Sequence, residues 1–64
     1  MNAETLYNIR PDKFIELADQ TNSYGEFIQY LRNTGTFGVI DIISESERKK
    51  LYMLALAGLA KKKN

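Results

Sequence analysis

Apolar positions recur with a helical period through most of this chain, and the elements are read from that spacing. Tyr24, Phe27, Ile28 and Leu31 fall at i, i+3, i+4 and i+7, the stripe of an amphipathic helix. Ser23 three residues before Glu26 makes a capping box at its start. Gly35, shortly after Asn33, supplies a left-handed stop. A helix is therefore predicted over 24–33. Upstream, Pro11 beside Asp12 is a normal helix opening. Phe14, Ile15, Leu17 and Ala18 then form an inward face, with Asp12, Lys13, Glu16 and Asp19 outward. This predicts a second helix over 11–20.

The C-terminal stretch Glu45–Lys63 is the most secure helix. It holds no Pro, is rich in Lys, Leu, Ala and Met, and begins at a second capping box, Ser44 with Glu47. A helix over about 45–62 follows. Its middle, Leu51–Ala60, is apolar on every side, which predicts a helix buried on most sides.

Two segments read less clearly. Ala3–Ile9 has Asn2 as an N-cap and Glu4 in its first turn, with Leu6 and Ile9 three apart on one helical face. A strand over Thr5–Ile9 competes with that helix. Thr36–Ile43 holds the β-branched Val39, Ile40, Ile42 and Ile43, which fit a strand. The favoured reading is a short helical turn that places Phe37, Ile40 and Ile43 on the core. The fold class expected is all-α: one domain over 1–64, a compact bundle of three main helices (about 11–20, 24–33 and 45–62). A short extra element lies near the N-terminus or at 36–43, and the C-terminal helix is central.

Composition narrows the chemistry. The chain has 64 residues with no His and no Cys. That removes disulfides, thiolate chemistry and the usual zinc and iron ligand sets. No Gly-rich phosphate loop or Ser/His/Asp set is present. The carboxylate pairs Asp12/Glu16 and Glu45/Glu47 belong to a helix surface and a capped helix start. A chain this short builds a deep cleft with difficulty. The expectation is a non-enzymatic protein with no catalytic, cofactor-binding or metal-binding residues and no small-molecule substrate. The sequence shows no secretory leader and its longest apolar run is ten residues, Leu51–Ala60. A spanning helix needs about 20, so a cytoplasmic protein is expected.

Charge is strongly uneven. Residues 1–47 hold Arg10, Lys13 and Arg32 against all eight acids, a net of −5. Residues 48–64 hold Arg48, Lys49, Lys50 and Lys61–Lys63 with no acid, a net of +6. Within the last helix this puts acids at the start and lysines at the end, which opposes the helix dipole.

Three functional readings follow. The leading one is a small regulatory or accessory protein that binds another protein or a second copy of itself. The all-round apolar helix motivates it, with Tyr30, Tyr52, Met53, Leu56 and Leu59 as candidate partner-binding residues. Tyr30 lies off the 24/27/28/31 stripe and is predicted to be exposed. The second reading is DNA binding. Leu17-Ala18, Asn22, Ile28 and Leu31 occupy spacings that resemble a helix-turn-helix, with Asn22 where that motif usually has Gly and Thr21 in a slot usually apolar. The resemblance implies base contacts from Gln29 and Arg32; separately, the terminal run Lys61, Lys62 and Lys63 is a candidate for phosphate contact. The −5 charge of residues 1–47 opposes it. The third is membrane-surface binding through the basic-flanked apolar helix.

Overall fold

The structure, a computed structural model, describes residues 2–34 and 43–63. They form four helices and no strand: α1 (Ala3–Ile9), α2 (Pro11–Gln20), α3 (Tyr24–Thr34) and α4 (Glu45–Lys63). Thr5–Ile9 is thus helical. The expected element at Thr36–Ile43 lies outside the described residues except for Ile43, which is buried.

Each start has a local cause. Asn2 is extended, and its Oδ1 accepts from the Thr5 N–H at 2.9 Å, which caps α1. Arg10 alone separates α1 from α2. Its backbone (φ −146°, ψ 72°) leaves the helical region, as suits a residue before proline, and Pro11 opens α2. Thr21 closes α2: its N–H and its hydroxyl both donate to the Leu17 carbonyl, at 3.1 and 2.7 Å. Ser23 Oγ then accepts from the Glu26 N–H to start α3, and Ser44 Oγ accepts from the Glu47 N–H to start α4, each at 3.2 Å.

The second capping box is not closed on itself. The Glu47 carboxylate turns across to α1, where Oε1 accepts from the Ala3 N–H at 2.8 Å. The first turn of a helix leaves N–H groups without intrahelical partners, and here a residue 44 positions away satisfies one of them. Ala3 is fully buried, so that donor has little access to water. Glu47→Ala is therefore expected to destabilise the fold by about 1–2 kcal/mol. Glu47→Gln, which keeps an acceptor oxygen, loses less. Urea denaturation followed by circular dichroism distinguishes the two.

The core is built around α4. α1, α2 and α3 all pack against it, α2 and α1 more extensively than α3. Phe14, Phe27, Leu6, Leu31 and Leu51 are the largest fully buried side chains, and Ala3, Ala18 and Ala55 fill the close approaches. No polar or charged side chain is buried among the described residues. The Cα radius of gyration is 10.6 Å, against about 10.7 Å for a compact chain of this length. The fold is therefore as compact as a single folded chain of this length.

Two details differ from the sequence reading. Ile9 is 55% exposed, whereas Leu6 is buried. The inward face of α1 is Ala3, Leu6 and Tyr7, and Ile9 lies about 60° further round the helix from Leu6 at 100° per residue. Ile15 is half-buried rather than buried. Helix α4 is buried on most sides, as expected, but not on all. At 100° per residue its covered arc runs from Leu54 through Leu51 and Ala55 to Leu56, about 200° of the circumference. The remaining arc is open.

Candidate partner-binding face

The open arc of α4 carries Met53, Ala57 and Ala60 at i, i+4 and i+7, all exposed, with half-buried Leu56 at its margin. Met53 is 64% exposed, more than any other large hydrophobic residue among those described. Lys49 and Lys61 stand at the two ends of this row, about 18 Å apart along the axis. Of the two acids in the first turn of α4, Glu47 points inward to Ala3, and exposed Glu45 lies one turn before Lys49, about 40° outside the arc. The arc thus has an apolar middle and basic ends.

The candidate partner-binding residues separate into four places. Met53 and Leu56 share the open side of α4. Tyr52 does not: its ring centroid lies 5.0 Å from that of Phe27 and 5.8 Å from that of Tyr24, the latter edge-on. It joins α3 to α4, and its half-burial reflects that aromatic cluster. Leu59 is half-buried and lines a groove with Asp12, Ile15, Asp19, Lys62 and Lys63 between α2 and the end of α4. Tyr30 is 40% exposed on α3, as the stripe predicts.

The candidate nucleic-acid residues also divide. Gln29 and Arg32 are exposed on α3 and line a cleft with Tyr24, Glu45 and Arg48. Gln29 donates to Asn33 Oδ1 at 3.4 Å. Lys62 and Lys63 are at the other end of α4, where Lys63 pairs with Asp19 at 3.3 Å. Arg48 and Lys61 are separated by about 20 Å of helix. The exposed side of α2 carries Asp12, Glu16 and Asp19, and that of α3 carries Glu26. Together these place acids on both helices of the helix-turn-helix resemblance.

Other chemistry is sparse. No group of acids among the described residues could hold a metal ion, and no described helix is long and apolar enough to cross a membrane. Two features of the sequence mark this face. One is that Met53, Ala57 and Ala60 share a helical side with Lys49. The other is that Gly58 sits opposite them, where another helix comes close. Compared with protein-family models, curated proteins and solved structures, the chain matches none.

Proposed function

We propose that this chain is a small non-enzymatic accessory or regulatory protein that binds another protein along the open side of α4. The observation that carries this reading is Met53, a large apolar side chain left 64% exposed in the middle of a helix whose opposite side is the core. A scattered exposed apolar residue needs no explanation. Here the exposed residue is in register with Ala57 and Ala60, and half-buried Leu56 widens the strip. Small residues at i+4 and i+7 let a second helix lie close. The buried residues of α4 among those described, Leu51 and Ala55, lie on its other side, which supports a strip used for recognition and not for folding.

A photo-crosslinking amino acid in place of Met53, used in the source cell, tests this reading. One discrete adduct is expected at position 53 and none at the exposed control Asn22. The same adducts at both positions, or none at either, would sink it.

DNA binding is second. It is favoured by the three-residue link 21–23 between α2 and α3 and by the exposure of Gln29 and Arg32. The acids on both helices oppose phosphate contact, which supplies most non-specific affinity. A salt-dependent shift of duplex DNA by the protein would raise it above the first reading.

A further inference from the structure

We infer that the occupant of the open side of α4 is an acidic-ended amphipathic helix of a different protein, and not a second copy of this chain. The inference rests on the reading of that side as a docking face and names the chemistry of what docks. Its basis is the placement of charge. Lys49 and Lys61 bracket the Met53–Ala57–Ala60 row and make no ion pair among the described residues. The nearby Lys50 and Lys63 are paired, with Glu47 at 3.7 Å and Asp19 at 3.3 Å. No acid stands on the open arc: at 100° per residue Glu47 falls outside it, and exposed Glu45 lies just beyond its edge, about 40° from Lys49.

Self-pairing along this face brings lysine to lysine in either direction. A parallel pair sets Lys49 against Lys49 and Lys61 against Lys61. An antiparallel pair sets Lys49 against Lys61. Like charges across an interface disfavour the wrong partner. A helix with Asp or Glu at both ends of an apolar stretch, about 18 Å apart, meets both lysines at once. Between them Ala57 and Ala60 leave a shallow strip, which larger apolar side chains from the partner would fill. An anionic membrane also offers negative charge. Insertion into it relies on bulky apolar side chains along the face, and this face has one exposed large residue, Met53.

The test is a displayed library of amphipathic helical peptides that span the Lys49–Lys61 distance, with the end positions randomised. The full chain is the bait, as parent, Met53→Glu, Lys49→Glu/Lys61→Glu and Lys49→Gln/Lys61→Gln, with circular dichroism confirming the fold of each. The parent is expected to enrich peptides with Asp or Glu at both ends, and the charge-reversed bait to enrich Lys or Arg there. Peptides selected on the parent should bind the glutamine variant at least about tenfold more weakly, and Met53→Glu should capture none of them. Enriched peptides that need Met53 but show no acidic bias would overturn the charge inference and leave the docking face standing. If no enriched peptide depends on Met53, both fall. A dimer of the parent chain in sedimentation equilibrium that Met53→Glu abolishes would overturn the inference in favour of self-pairing. Co-sedimentation with phosphatidylserine vesicles that requires Lys49 and Lys61, without peptide enrichment, would overturn it in favour of a membrane.

Discussion

Phe27→Ala is expected to leave most of the chain unfolded in water. Phe27 is fully buried, and its ring lies 5.0 Å from that of Tyr52. That contact is a main link between α3 and α4, which share fewer contacts than α4 does with α1 or α2. Removing a buried phenylalanine side chain costs about 3–5 kcal/mol, because transfer energy is lost and a cavity remains. A chain of 64 residues has a stability of about 3–10 kcal/mol in total. The loss is therefore comparable to the whole at the lower end of that range. Tyr24 and Tyr52, the rings nearest that space, are both half-buried. Urea titration at 222 nm should show a shallow, early transition or none. A midpoint close to that of the parent would mean that α3 is not held by this cluster.

The second large effect is at Gly58. A Cβ built there would lie 2.5 Å from Tyr7 Oη and 2.8 and 2.9 Å from Ile15 Cδ1 and Cγ1. At an open helical position, Gly→Ala stabilises by about 1 kcal/mol through backbone entropy. Here α1 and α2 both reach α4 at this residue, and overpacking costs about 1–3 kcal/mol. Gly58→Ala should therefore be neutral to destabilising by about 2 kcal/mol. Gly58→Val adds two methyl groups and a β-branch, and should destabilise by about 2–4 kcal/mol. Tyr7→Phe removes the nearest atom, so part of the alanine penalty should vanish in that background, a coupling that a double-mutant cycle measures. If Gly58→Ala stabilised the parent by the full amount of an open helical site, the close packing of α4 on α1 and α2 would be wrong.

Much of the fold was legible because the signals were local. The Tyr24–Leu31 stripe, Pro11 and the Asn2, Ser23 and Ser44 caps are each set by residues within one or two turns. What stayed hidden depends on distant partners. The Ser44–Glu47 spacing predicts a box closed on itself, and nothing nearby in sequence reveals that the carboxylate serves Ala3 instead. The run Leu51–Ala60 has apolar residues at every angle, so its pattern carries almost no direction. Leu51 and Met53 look alike in sequence, yet one is fully buried and the other is 64% exposed. The same ambiguity hides that the Tyr52 ring packs against those of Tyr24 and Phe27. Tyr30 was readable because it falls off a stripe that has a clear direction. The site was therefore legible as a helix but not as a side of that helix.

The measurement closest to the central claim, that α4 keeps one side for the core and one for a partner, is the urea stability of Met53→Glu beside that of Ala55→Glu. Ala55 is fully buried two residues away on the opposite side. A carboxylate there has no partner, and burying it unpaired should unfold the chain. At the exposed position 53 the same substitution should leave stability within about 0.5 kcal/mol of the parent, with a cooperative transition. Cooperative folding of Met53→Glu together with collapse of Ala55→Glu is the expected result. Unfolding of Met53→Glu would make that side part of the core and leave no free face on α4.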